Sequence, residues 1–236
     1  MSVAPFWRYY GGKNRAGCMY PPPLWHEHIV EPFAGAAGYA CNYPDRPVTL
    51  VDRSPYVAGV WRFLIRSKPE DILSIPDVPE GGTVDDLPVC QEARWLVGFW
   101  LNTATVMPCK SASLRARRDG LHVHNWTGWG DRPRERIAKQ LWRIKHWTII
   151  EGDYTEAPDI EATWFIDPPY NNDAGRRYGQ QPDSFAALGE WCRTRKGSVI
   201  VCEQKGADWL PFQPLADIKS NKGSSKEVVY LQRGVA

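Results

Sequence analysis

An apolar run from Ala162 to Ile166 stops at Asp167, Pro168, Pro169 and Tyr170. Two prolines fix two φ angles and remove two backbone donors, so the chain just past Asp167 is held extended. The Asp167 carboxylate, the Pro168 carbonyl and the Tyr170 ring can then converge, giving two acceptors beside an aromatic face. Such a site suits a planar ligand with an exocyclic amine, its ring stacked on Tyr170 and both amine hydrogens accepted by oxygen. Adenine answers that description. The same residues also make an ordinary strand-ending turn, since Asp-Pro is a common turn opener, and the rest of the chain has to decide between the two.

A second group of residues lies upstream. Glu31, Pro32, Phe33, Ala34 and Gly35 follow an apolar run, and the next such run ends at Asp52, 17 residues after Gly35. Small residues after a strand let a ligand approach the backbone, and an acid after the following strand accepts from ribose hydroxyls. A full G-x-G-x-x-G is absent, because Ala37 stands where a second glycine is expected. That disfavours a dinucleotide pyrophosphate and favours a ligand without phosphates, such as S-adenosylmethionine; a tight turn that needs small residues only for packing is the alternative. Ahead of these, the stretch Arg8 to Lys13 gathers two tyrosines, two glycines and a lysine. Two histidine pairings, His26 with His28 and His124 with Asn125, lack companion ligands at metal spacing, so no metal is expected.

Short apolar, β-branched runs at 29–33, 48–52, 147–153, 163–167 and 198–204, and a last one at 226–233, predict strands. Helices are expected over 54–67, where Ser54 can cap and Pro55 can start the first turn, from Asp183 onward, and over 90–102. Alternation of β and α elements implies a doubly wound, mostly parallel α/β sheet covered on both faces. The alternation breaks between 76 and 147, which reads as a largely helical insertion opened by a Pro/Gly/acid-rich linker. Residues 1–75 and 148–236 are then the catalytic domain.

The 236 residues carry a net charge of only +2, yet from Lys110 to Trp147 ten basic residues face three acidic ones, a local +7. A basic block on an otherwise acidic chain is the footprint of a polyanion as well as of a solvated face. Trp126 and Trp129 lie inside it, where an aromatic can stack on or wedge between bases. Six scattered cysteines without a CxxC pair read as reduced, buried thiols. No apolar stretch approaches the ~20 residues of a membrane span and no signal peptide is evident, so no membrane partner and a cytoplasmic location are expected.

Taken in order, Tyr9-Tyr10-Gly11-Gly12-Lys13, the Glu31–Gly38 stretch, Asp52, Gly152-Asp153-Tyr154 and Asp167-Pro168-Pro169-Tyr170 resemble the Dam-like DNA adenine N6-methyltransferases over most of the chain. The resemblance implies methyl transfer from S-adenosylmethionine to the N6 amine of a flipped adenine in double-stranded DNA. It implies a cofactor site of Tyr9, Lys13, Glu31, Pro32, Phe33, Gly35, Asp52, Asp153, Tyr154 and Asp167, with Tyr9 in the place of the usual tryptophan. It makes Asp167, Pro168, Pro169 and Tyr170 the catalytic motif, and the 76–147 insertion the target-recognition region. Arg115, Arg117 and Arg118 in that insertion, and Arg176 and Arg177 in the polar loop after Tyr170, are the candidate DNA contacts. Cytosine N4 methylation uses the same amine chemistry, but a serine more often opens the motif there, so Asp167 favours adenine. A non-catalytic DNA-binding module that keeps the fold is the reading from a different class.

Overall fold

The computed structural model describes residues 1–13, 16–24, 26–102, 105–113, 128–173, 175–179, 181–220 and 223–233, with side chains for all of these except 217–220 and 223–225. Arg115, Arg117, Arg118, His124, Asn125 and Trp126 lie outside the described residues.

Seven strands form one sheet: β1 (Ile29–Glu31), β2 (Val48–Asp52), β3 (Thr148–Glu151), β4 (Ala162–Ile166), β5 (Gly197–Gln204), β6 (Gln213–Ser220) and β7 (Gly223–Gln232). Their order is β3-β2-β1-β4-β5-β7-β6. The first five run parallel, and β7 is antiparallel to both β5 and β6. This α/β arrangement, mixed only through β7, is typical of the Rossmann-like methyltransferase fold.

The side-chain period of a strand explains the layering. Ile29, Leu50 and Phe165 enter one apolar cluster, while their neighbours Val30, Val51, Trp164 and Ile166 enter another on the opposite face. Strands β1 and β4 are buried throughout, which is why they read as continuous apolar runs. On the first face lie α1 (Pro55–Arg66), α2 (Pro69–Leu73), α3 (Gln91–Leu101) and α4 (Asp131–Gln140), and on the second α5 (Phe185–Arg193). Helix α1 starts as its sequence predicts, with the Ser54 hydroxyl accepting from the Val57 N–H at 3.5 Å and Pro55 in the first turn. Ser184, one residue after Asp183, caps α5.

Strand β6 has no counterpart in the sequence reading. Its ladder with β7 is irregular between Pro214 and Ala216, and it lies at the sheet edge, where proline is tolerated. An edge strand with a proline and few apolar residues carries little periodic signal.

The described part of 76–147 continues the main core: Leu96, Val97, Phe99, Trp100, Ile137 and Leu141 belong to the same cluster as Ile29 and Leu50. Helices α3 and α4 also clamp the N-terminal segment. Trp100 Nε1 donates to the Phe6 carbonyl at 3.0 Å, Arg136 to that of Pro5 at 3.2 Å, and Gln140 exchanges two hydrogen bonds with Ala4. Phe6 and Trp7 are fully buried, with Trp7 against Trp61 and Phe99.

Several basic residues of this region have partners within the fold. Arg134 bonds Asp77, Asp131 and the Ile75 carbonyl, and Arg143 forks onto Asp45. Lys145 donates to the carbonyls of Leu64, Ile65 and Ser67, where a cation complements the C-terminal end of α1. Trp129, expected as a base-stacking candidate, is 5 % exposed and donates to the Pro76 carbonyl, so packing claims it. The expectation of uniformly buried thiols holds for Cys41, Cys192 and Cys202, whereas Cys18 and Cys90 lie at the surface. No helix among the described residues is long and apolar enough to cross a membrane.

Candidate functional site

Strands β1 and β4 are neighbours, but their connections leave in opposite directions, β1 toward β2 and β4 toward β5. At such a switch point the loops after the strands diverge and leave a crevice beyond the carboxyl ends. A cleft of about 270 Å³ lies there. It is lined by ten residues singled out from the sequence: Tyr9, Lys13, Glu31, Pro32, Phe33, Gly35, Asp52, Tyr154, Asp167 and Pro169. Residues separated by up to 160 positions meet because four parallel strands end on the same side and the N-terminal segment is pinned across them.

Asp52 organises the first loop. One carboxylate oxygen accepts from the Gly35 N–H and the other from the Ser54 N–H, both at 2.9 Å. Gly35 has φ +45°, and a Cβ there would stand 3.0 Å from the Tyr9 ring, so the glycine serves both the turn and the close approach. Ala37, where a glycine was expected, also takes a left-handed φ of +49°. For an L-residue this costs about 1–2 kcal/mol, offset by the complete burial of its methyl group. Phe33 stacks on Tyr154, with ring centroids 5.5 Å apart, as an apolar wall.

Lys13 meets Asp167 on the opposite side. Its Nζ lies 3.0 Å from Asp167 Oδ1, donates to the Tyr170 hydroxyl at 2.6 Å, and sits 4.7 Å from the centroid of that ring. Burial works against the ammonium charge, but Asp167 and Glu227 outweigh it and hold the Lys13 pKa above its ordinary value.

Of the residues expected for the catalytic motif and the cofactor site, three are not among those that line the cleft: Pro168, Tyr170 and Asp153. Tyr170, expected as a stacking face, packs against the core and donates its hydroxyl to Glu227 at 2.5 Å. Asp153 caps the turn at Tyr154–Glu156 and pairs with Arg53 at 2.6 Å. Arg53 lines the cleft itself, and so do Tyr178 and Gln181 from the loop after Tyr170; sequence reasoning missed all three. Tyr178 donates to the Tyr10 carbonyl at 2.7 Å, and the Gln181 side chain to the Tyr170 carbonyl at 3.1 Å, so this loop roofs the cleft. An aromatic in a Gly/Asn/Gln-rich loop was the available signal. In the same loop Arg176 pairs with Asp173, and Arg177 is exposed. His26 faces Glu161 at 3.6 Å and His28 meets the Thr49 hydroxyl at 2.9 Å.

The cleft gathers three buried carboxyl groups. Burial pushes Asp52 and Asp167 each up to about 6, in Asp52 against the Gly35 and Ser54 N–H groups and in Asp167 against Lys13. Burial pushes Glu31 up to about 8 against the Ala40 N–H, which donates to it at 2.6 Å. Carboxyl groups held this way are relieved by a ligand that brings positive charge.

The same shifts predict a pH dependence. A carboxyl whose pKa rises on folding keeps a proton that the unfolded chain has lost. Its contribution to stability is therefore full below the unfolded value and is lost as pH rises through the folded one. For Glu31 that window runs from 4.5 to about 8. The melting temperature of the ligand-free protein is expected to fall across this range, and Glu31→Gln to flatten the upper part of the fall. Thermal unfolding of both proteins in buffers spanning about pH 5 to about pH 9 checks this; parallel curves would show that Glu31 is ionised throughout.

No model of a known protein family matches this chain, and no curated protein matches it. Among solved structures it is similar to a conserved hypothetical protein from Streptococcus pyogenes, at 11 % identity over 94 % of this chain and 92 % of that one, with a TM-score of 0.35. So loose a superposition carries no argument about the site, and the fold assignment stands on strand order and register.

Proposed function

We propose that this protein is a DNA adenine methyltransferase, transferring a methyl group from S-adenosylmethionine to the N6 amine of an adenine flipped out of the duplex. The observation that carries the reading is Asp167, at the carboxyl end of β4, lining the same switch-point cleft as Gly35 and Asp52 and paired with Lys13. The cofactor is a cationic nucleoside without phosphates, and the donor set fits it. Asp52 is the acceptor for its ribose, Phe33 and Tyr154 are an apolar wall for its base, and Glu31 is a buried carboxyl group whose ionisation its positive charge would favour. When bound, S-adenosylmethionine supplies an electrophilic methyl group.

The chain's own part is positioning and fixed electrostatics. An adenine amine is paired in duplex DNA and its lone pair is delocalised into the ring, so the base has to leave the stack. With Oδ1 of Asp167 held by Lys13, Oδ2 and the Pro168 carbonyl are the acceptors for the two amine hydrogens. Accepting both biases the nitrogen toward a tetrahedral shape with its lone pair exposed. A nitrogen that has gained a fourth bond is acidic, and Asp167 then takes its proton without having to be a strong base. Arg177, exposed on the roofing loop beside Arg176, is the DNA contact this reading favours among the described residues.

Incubation with methyl-labelled S-adenosylmethionine and unmethylated DNA, followed by digestion to nucleosides, tests the proposal. Label is expected in N6-methyldeoxyadenosine. Label in N4-methyldeoxycytidine would redirect the reading to cytosine, and label in neither would overturn it.

A further inference from the structure

Lys13 sits at the end of a flexible stem on a segment outside the sheet, so something other than its own backbone must set where its ammonium lies. A buried chain of hydrogen bonds leads from it to β7. Lys13 Nζ donates to the Tyr170 hydroxyl at 2.6 Å, and that hydroxyl donates to Glu227 Oε2 at 2.5 Å. Glu227 Oε2 is itself 3.8 Å from Lys13 Nζ, and Glu227 is 6 % exposed. The residue belongs to the antiparallel strand and pairs in register with Gln204 of β5. Two carboxylates, Asp167 and Glu227, thus flank one ammonium. A second buried carboxylate is a poor device for stability alone, because desolvating it offsets most of the attraction. It is an effective device for geometry, because each donor has a single direction in which to point.

We propose that Glu227 is a positioning residue of the reaction centre: through Tyr170 it fixes the Lys13 ammonium, and through Lys13 the orientation of the Asp167 carboxylate. The inference rests on Asp167 being the amine acceptor, as read above. It also assigns the Tyr170 hydroxyl a task separate from any contact its ring makes. Glu227 touches neither the amine nor the cofactor in this scheme. Its negative charge opposes ionisation of Asp167 and competes with it for Lys13.

The test uses Glu227→Gln, which keeps an oxygen for the Tyr170 hydroxyl and removes the charge, and Tyr170→Phe, which keeps the ring and removes the hydroxyl. In the ligand-free full-length protein, carboxyl-carbon NMR follows the titration of Asp167, with Asp167→Asn assigning the signal. The Asp167 midpoint is expected at lower pH in Glu227→Gln than in the parent, because a like charge is gone and Lys13 is left to Asp167 alone. Turnover is expected to fall about 10- to 100-fold in Tyr170→Phe, which breaks the chain of hydrogen bonds, as for a misplaced reacting group, and less in Glu227→Gln, which keeps an acceptor for the hydroxyl. S-adenosylmethionine affinity, by calorimetry, is expected to stay within about twofold of the parent. An unmoved Asp167 midpoint in Glu227→Gln, or full turnover in Tyr170→Phe, would overturn the inference. The second result would mean that Tyr170 acts through its ring alone. If the parent protein methylates no DNA, the substrate reading falls, while the Asp167 midpoint in Glu227→Gln still decides whether the network exists.

Discussion

An Asp167→Asn variant is expected to lose methyl transfer by at least ~10²-fold, a loss larger than any accompanying change in S-adenosylmethionine affinity. Asparagine keeps the shape of the side chain but exchanges one acceptor oxygen for a donor NH₂, which would meet either the Lys13 ammonium or the target amine with hydrogen against hydrogen. The loss is assigned to the chemical step, since Glu31 and Asp52 end β1 and β2, Gly35 lies in the loop between them, and Asp167 follows β4. Alanine is the poorer choice, because it would strip Lys13 of a counter-charge at 3.0 Å and mix a folding defect into the result. Single-turnover rates with saturating DNA, beside calorimetric cofactor titration, separate the two effects. A variant that turned over at the parent rate would remove Asp167 from the chemistry and leave it as a structural partner of Lys13.

The second large effect is expected at Asp52. Asp52→Ala should weaken S-adenosylmethionine binding by about 1–3 kcal/mol, roughly ten- to a hundredfold, the cost of leaving polar groups without their charged acceptor. The carboxylate has two tasks here. It holds the Gly35 and Ser54 N–H groups at 2.9 Å, and its remaining lone pairs are available to ribose hydroxyls. Asp52→Asn discriminates between them, because its carbonyl still accepts one backbone N–H while the charge that favours a hydroxyl donor is gone. Intermediate affinity in the asparagine variant would assign part of the effect to the turn and part to the ligand. Unaltered affinity in both variants would put the ribose elsewhere in the cleft.

What could be read directly from the chain has a local physical cause. Strands β1, β2, β4 and β5 are apolar runs because both of their faces are covered, and α1 begins at Ser54 because a hydroxyl satisfies an orphan N–H next to a proline that has none to lose. Asp167, Gly35 and Asp52 stand where strands end, and in a parallel sheet all such ends on one side form a single crevice. Alternation of strands and helices therefore determined the fold class and the general location of the site. Tertiary structure decided everything that depends on a partner distant in sequence. It made the Tyr170 hydroxyl a link between Lys13 and Glu227, paired Asp153 with Arg53, and gave Arg134, Arg143 and Lys145 partners within the fold, in a segment whose charge count suggested a DNA surface. It also drew Tyr178 and Gln181 over the cleft and added β6 at the edge. None of these has a period or a spacing, because the distance that defines each is closed only when the chain folds.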